Sequence, residues 1–96
     1  MFTLTQKAKS DLKNIAKYTQ KQWGRKQRNQ YVKQLDDTFH FLASNPKYGI
    51  RCDYIKIGYY KYIVAKHVIF YRYVDNKMQI VRILHQSMDT EGGIGF

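Results

Sequence analysis

The 96-residue sequence contains one cysteine, one proline and only seven acidic residues. Because Cys52 is alone, the chain forms neither an internal disulfide nor a multi-thiolate zinc site. No apolar run approaches the roughly 18 residues of a membrane-spanning helix. Gln6 and Lys7 interrupt the first residues before the apolar core of a signal peptide can form. We therefore expect a cytoplasmic protein with no membrane association, and no metal or cofactor.

Positive charge is abundant and uneven. Seventeen Lys and Arg give a net charge of +10, and 44% hydrophobic with 16% aromatic residues indicate a folded domain. Residues 1–34 carry nine Lys or Arg and one acid, net +8, whereas the other 62 residues carry net +2. A chain of this length supports one core, so residues 1–96 are expected to form a single domain. Its positive field favours nucleic acid or an acidic protein as partner.

Two amphipathic patterns occupy the first half of the sequence. In the first, Thr5 precedes apolar or small residues at three- and four-residue spacing, and Gly24 follows where a helix end favours glycine. The second pattern stops at Asn45-Pro46, because proline ends a helix. Together they predict an antiparallel helical hairpin. The residues expected on its buried faces are Ala8, Leu12, Ile15, Thr19, Trp23, Tyr31, Leu35, Thr38, Phe39 and Leu42.

Strand-like runs fill the second half of the sequence. Residues 59–65, 67–74 and 78–84 are rich in aromatic and β-branched side chains, and Asp75-Asn76-Lys77 favours a tight turn between the last two runs. Residues 2–4 supply one more strand. We therefore predict an α+β fold, with an N-terminal strand and an antiparallel two-helix hairpin packed on an antiparallel sheet of three C-terminal strands. The glycine-rich residues 90–96 are expected to form a flexible tail.

Five segments carry a family resemblance. They are AKSDLKNIAKYTQKQWG (8–24), LASNPKYGIRCD (42–53), IKIGYYKY (55–62), HVIFYRY (67–73) and IVRILHQSMD (80–89). In this order they resemble the RelE/ParE superfamily of type II toxin–antitoxin toxins, the ParE branch in particular. The resemblance implies a bacterial toxin that is neutralised by a co-encoded antitoxin. ParE-like toxins stabilise the cleaved-DNA complex of DNA gyrase and block replication, whereas RelE-like toxins cut mRNA at the ribosome.

RNA cleavage needs a base, an acid and cations for the transition state. The candidates are Arg72, Arg82 and His85, and the register could bring Arg72 and Arg82 close across the 75–77 turn. No glutamate lies on the strands, and the tyrosine that the RelE pattern has after the last strand is absent from the segment 86–89. We therefore predict a binding protein rather than an enzyme. A RelE-type mRNA endonuclease, and a toxin-shaped binding module without activity, are the alternatives.

Eight basic residues, seven of them Lys or Arg, are candidates for contact with gyrase or antitoxin. Five lie on the predicted strands or beside them, and three form a stripe on the first helix, where they would steer the toxin toward an anionic partner or contact DNA phosphates. Direct nucleic-acid binding stays open. The antitoxin is expected to fold an acidic, disordered C-terminal segment across the helical hairpin and the sheet edge. The eight residues are Lys56, Lys61, Arg72, Arg82, His85, Lys9, Lys13 and Lys17.

Overall fold

The computed structural model describes residues 2–88, without the side chain of Met88. The tail predicted at residues 90–96 lies outside the described residues. The described chain contains two helices, five strands and a closing 3₁₀ turn, in the order β1 (Phe2–Leu4), α1 (Gln6–Trp23), α2 (Arg25–Ser44), β2 (Ile50–Arg51), β3 (Tyr60–Val64), β4 (His67–Val74), β5 (Lys77–His85) and the 3₁₀ turn Gln86–Met88.

The five strands form one sheet in the order β1-β5-β4-β3-β2. The predicted α+β fold and the antiparallel β3-β4-β5 meander are confirmed. Two features of the sheet were not part of the prediction. β1 pairs with β5 in parallel, so the sheet is mixed, and β2 adds a fifth strand beside β3. With only two residues, β2 is too short to show the alternating pattern by which a strand is recognised.

Local signals in the sequence explain where the elements begin and end. The Thr5 hydroxyl accepts a hydrogen bond of 3.0 Å from the Ala8 N–H, which caps the start of α1. Gly24 has φ +93° and is the only residue between the helices, so α2 begins directly after it. Asp75 and Asn76 both have positive φ, as the tight turn between β4 and β5 requires.

The helical hairpin covers one face of the sheet. Its buried side chains, among them Leu35, Phe39 and Leu42, pack against strand residues that include Ile69 and Ile80. A smaller apolar cluster occupies the opposite face, where the segment 52–59 folds over the meander. Its members are Cys52, Tyr59, Val68, Phe70 and Leu84, with Ile55 and Val81 packed beside them. We call this opposite face the outer face.

One core prediction for the helices is wrong. Trp23 continues the apolar spacing of α1, yet 70% of its surface is exposed. It is the last residue of the helix, and the chain reverses at Gly24, so no further turn of α1 follows to bury it. Trp23 instead lines a cavity at the end of the sheet, which is described below.

Candidate functional site

Two of the predicted cations lie on the outer face of the sheet. Lys61 is paired in register with the buried Phe70 of that face, and its ammonium lies 5.6 Å from the ring centre of Tyr54. The Arg72 guanidinium lies 5.9 Å from the ring centre of Tyr59. Both distances are within the range of a cation–π contact. The outer face therefore combines positive charge with aromatic rings.

Gln79 orients the second of these cations. It lies opposite Arg72 on the neighbouring strand, and its Oε1 accepts a hydrogen bond of 2.8 Å from the Arg72 Nε. This bond uses one donor of the guanidinium. Because the fork of a guanidinium carries five N–H donors, Arg72 retains donors for an anionic partner.

The segment 52–59 is an ordered loop beside this face. Asp53 accepts a 3.0 Å hydrogen bond from the Gly58 N–H, and this bond, with Arg51 nearby, lowers the pKa of the Asp53 carboxyl. Gly58 has φ +90°, which favours glycine. The loop presents the exposed Lys56 and also Ile57, of which 85% is exposed. Because the hydrogen bond between Asp53 and Gly58 orders the loop, Ile57 is an exposed apolar side chain in a fixed position, and it is a candidate contact for a partner protein.

Arg82 is engaged by α1. Its Nε and Nη2 donate to the two carboxylate oxygens of Asp11 at 2.7 and 2.9 Å, and the bond to Asp11 raises the pKa of Arg82. Asp11 also accepts the Ile83 N–H at 3.0 Å. β1 pairs only with residues 78–80 of β5, so Asp11 satisfies part of the strand edge that β1 leaves open. Arg72 and Arg82 lie opposite Gln79 and Phe70 respectively and have different partners, so they do not form one cluster.

His85 lies at the end of β5, directly opposite His67 of β4, and the two ring centres are 5.5 Å apart. His67 Nδ1 is 2.6 Å from the Tyr31 hydroxyl, which donates to the Val64 carbonyl at 3.2 Å. Burial, and secondarily the charge of His85, lowers the pKa of His67. The pairing of His67 with His85 was not predicted, because it depends on the register of the β4-β5 hairpin.

The two histidines border a cavity of about 410 Å³ at the end of the sheet. Its walls also include the exposed Tyr18 and Trp23. Among residues 2–88, no group of three or more His, Cys, Asp or Glu side chains could hold a metal ion. The cavity therefore offers imidazole and aromatic groups to a ligand, and within the described chain it is not a metal centre.

The lysine stripe predicted on the first helix is exposed on α1, where its members are Lys9, Lys13 and Lys17. Since α1 packs against the face of the sheet opposite to the outer face, this stripe and the cations Lys61 and Arg72 lie on different sides of the molecule. The eight predicted residues thus belong to separate surfaces rather than to one site. Neither helix of the described chain has the length and apolar character needed to cross a bilayer.

A groove between α2 and the edge of β3 was missed by the sequence analysis. It has a volume of about 590 Å³, and its walls include Phe41 of α2 and Tyr62 of β3. Tyr48 lies between them, with ring centres 4.8 Å from Phe41 and 5.8 Å from Tyr62. β2 pairs only with Tyr60 and Lys61, so the strand segment 62–64 is an open edge beside the groove. This edge could not be recognised from the sequence, because β2 has only two residues and gives no strand pattern.

The fold and these surfaces define a small, basic α+β domain, and comparison with known proteins identifies its class. The model of the family described as "ParE toxin of type II toxin-antitoxin system, parDE" matches residues 2–90. Toxin ParE1 of Caulobacter vibrioides is 34% identical over 94 residues, covering 98% of this chain and 97% of the relative. Toxin ParE1 of Mycobacterium tuberculosis is 35% identical over 91 residues, covering 94% and 93%.

A solved structure shares the fold. It is described as the chromosomal ParDE TA system from P. aeruginosa, and it matches with a TM-score of 0.75 at 19% identity, covering 88% of this chain and 92% of that one. The family model and the two toxin relatives show that the chain belongs to the RelE/ParE superfamily. Within that superfamily it is a member of the ParE toxin family of type II toxin–antitoxin systems. This membership agrees with the prediction that the chain is not an enzyme.

Proposed function

We propose that this toxin poisons DNA gyrase by stabilising its cleaved-DNA complex and so blocks replication. The observation that carries the proposal is the match to the ParE branch along residues 2–90. The engagement of Arg82 by Asp11 supports it, because an arginine held at 2.7 Å by a carboxylate is a poor clamp for a transition-state phosphate. A toxin of this kind acts by contact, and its contact surface needs charge, aromatic rings and an apolar anchor.

We assign the gyrase contact to the outer face. Lys61 and Arg72 supply positive charge beside Tyr54 and Tyr59, and the neighbouring loop supplies the exposed Ile57. Arginine and tyrosine are enriched among the residues that dominate binding energy in protein interfaces. Lys56 extends the positive charge of this surface along the loop, whereas His85 lies with His67 at the end of the sheet and is not part of it.

The test is a cleavage assay with purified gyrase, supercoiled plasmid and ATP, in which trapped complexes are released with detergent and protease. Linear DNA is expected to accumulate with toxin dose and to be absent without gyrase. The Lys61→Gln/Arg72→Gln double variant is expected to need roughly tenfold more protein, the effect of about 1.4 kcal/mol of lost binding. The control is Lys26→Gln/Lys47→Gln, which removes two exposed lysines that lie outside β3, β4 and β5.

Two results would contradict gyrase poisoning, and a third would contradict only the assignment of the contact to the outer face. Absence of linear DNA at any dose would rule out gyrase poisoning, and shortened mRNA in growth-arrested cells would then support the endonuclease alternative. Absence of any growth arrest would support an inactive binding module. Equal potency of the double variant and its control would leave gyrase poisoning intact but would move the contact away from the outer face.

A co-encoded antitoxin is the second partner that we propose. The groove beside Phe41 and Tyr62 suits an apolar side chain of a folding segment, and the open edge at residues 62–64 suits the addition of a strand. The net charge of +10 favours an acidic segment. An antitoxin that bound here would span α2 and the sheet edge, the two elements expected from the sequence.

Proline at position 63 tests the strand addition. Proline removes one backbone donor and is tolerated at a strand edge, so Ile63→Pro is expected to weaken binding of the co-encoded antitoxin. Ile63→Thr is the matched control, because it loses the same side chain and retains the backbone N–H. Affinities are measured by calorimetry and folding by thermal denaturation. Equal affinities of two folded variants would refute strand addition at this edge.

A further inference from the structure

The solvent-facing side of α1 carries a row of four lysines. Lys9, Lys13, Lys17 and Lys21 recur at every fourth position, and all four are exposed. Four residues make about one helical turn, so neighbouring lysines are about 6 Å apart along the axis and the row spans about 18 Å. We call this row the lysine face. The adjacent row begins with the neutral polar residues Gln6, Ser10 and Asn14 and continues to the exposed Tyr18.

The charge of the lysine face is not neutralised within the part of the chain that the structure describes. The only acid in α1 is Asp11, and its carboxylate bonds to Arg82 and to the Ile83 N–H. None of the four lysine ammonium groups forms an ion pair with another described residue. The four charges therefore act together on an approaching anion, since no carboxylate of residues 2–88 pairs with them.

The composition of this surface favours a nucleic-acid backbone over an acidic protein. Apart from Tyr18 near its end, the two rows contain only lysine, serine and amide side chains. Protein interfaces form around apolar and aromatic anchors, and lysine is depleted from them. Phosphate contacts, in contrast, are made by lysine together with hydroxyl and amide donors. The aromatic residues of this end of the molecule, Tyr18 and Trp23, line the cavity instead.

The dimensions agree with duplex DNA. One strand of DNA rises about 3.4 Å per phosphate, so a row of about 18 Å lies alongside about five phosphates. We propose that the lysine face binds the sugar–phosphate backbone of duplex DNA without reading base sequence, and holds the DNA segment that gyrase cleaves. Only the second part of this proposal, the contact with the DNA that gyrase cleaves, rests on the proposed function. Binding to free duplex is independent of it, and the two are tested separately.

The first experiment measures binding of the toxin to fluorescent 20-base-pair duplexes of two unrelated sequences over a range of salt concentrations. Four phosphate contacts predict that log K falls with log salt with a slope of up to about −3.6. Lys13→Gln/Lys17→Gln is expected to weaken binding to both duplexes equally and to reduce the slope by about two. Glutamine replaces lysine with little change in helix propensity, so α1 is retained.

Lys47→Gln/Lys77→Gln is the control, because it lowers the net charge equally and lies outside α1. An equal loss of affinity and slope in this control would overturn the proposal, since the effect would then come from net charge alone. Unchanged duplex binding by Lys13→Gln/Lys17→Gln would also overturn it. If that variant instead lost only antitoxin binding, the lysine face would be a protein contact and the proposal would be wrong.

The second experiment repeats the gyrase cleavage assay with the same variants. Lys13→Gln/Lys17→Gln is expected to need more toxin for the same amount of linear DNA, and the difference from wild type is expected to be largest at low salt and to shrink as salt rises, because wild type has more phosphate contacts to lose. Full potency at every salt concentration would refute a role in the cleavage complex. If wild-type toxin gave no linear DNA but bound duplex through this face, the proposed function would fail and the lysine face would stand.

Discussion

Replacement of Asp11 by alanine should destabilise the fold strongly, because Asp11 joins α1 to β5. The side chains of Arg82 and Asp11 are only 15% and 13% exposed, and Asp11 accepts three hydrogen bonds. Removal of one partner of a buried ion pair costs about 3–5 kcal/mol, and partial exposure lowers that range to about 2–4 kcal/mol. The cost has two parts, an uncompensated guanidinium and an unpaired Ile83 N–H.

A double-mutant cycle separates the two parts. Urea unfolding, followed by circular dichroism, gives the free energy of unfolding of wild type, Asp11→Ala, Arg82→Leu and the double variant. We expect a coupling energy of about 1.5–3 kcal/mol between Asp11 and Arg82. Asp11→Asn should fall between wild type and Asp11→Ala, because its amide oxygen still accepts the Ile83 N–H. At about 4–8 °C per kcal/mol for a domain of this size, a loss of about 3 kcal/mol lowers Tm by about 12–24 °C.

A loss below about 1 kcal/mol for Asp11→Ala, with a coupling energy near zero, would refute this reasoning, since exposed pairs contribute only that much. Arg82 would then be free to contact a partner, and the argument against its role in RNA cleavage would fail. The gyrase assay adds a functional check. Arg82→Leu should retain the potency of wild type wherever it remains folded, because the Arg82 guanidinium is bound to Asp11 of α1 and is not among the cations assigned to the gyrase contact.

Three further changes test the packing of the sheet. Ala65→Gly should raise the free energy of unfolding by about 0.5–1 kcal/mol, because Ala65 has φ +51° and glycine adopts that conformation without strain. Gly49→Ala should lower the free energy of unfolding by about 1–3 kcal/mol, because a β-carbon there collides with the Tyr71 hydroxyl. That hydroxyl accepts a hydrogen bond from the Gly49 N–H. A neutral result in urea unfolding would contradict this expectation, because it would show that the backbone at Gly49 moves away from Tyr71 without cost. Stability should fall as pH drops below about 6.5, because the pKa of His67 is lowered in the folded state and the unfolded state therefore binds more protons. His67→Gln should flatten that dependence, and an unchanged pH profile of Tm would contradict it.

Elements with strong local signals were predictable from the sequence. Thr5 caps α1 and Gly24 ends it, because these positions depend on side chains within a few residues. The turn at Asp75-Asn76 follows from residues that tolerate positive φ. β2 could not be predicted, since its two residues become a strand only by pairing with β3. Trp23 was misassigned because helical spacing gives the direction of a side chain and not what lies beyond the helix end.

The candidate surfaces divide in the same way. The sequence by itself determined the row of lysines on α1 and the excess of positive charge, because both follow from helical periodicity and composition. Only the tertiary structure decided which groups surround Arg82 and His85. Arg82 is paired with Asp11, 71 residues away, and His85 meets His67 through strand register. Such pairings depend on which elements pack together. The residues next to Arg82 or His85 in the sequence therefore do not indicate which distant residue each will contact.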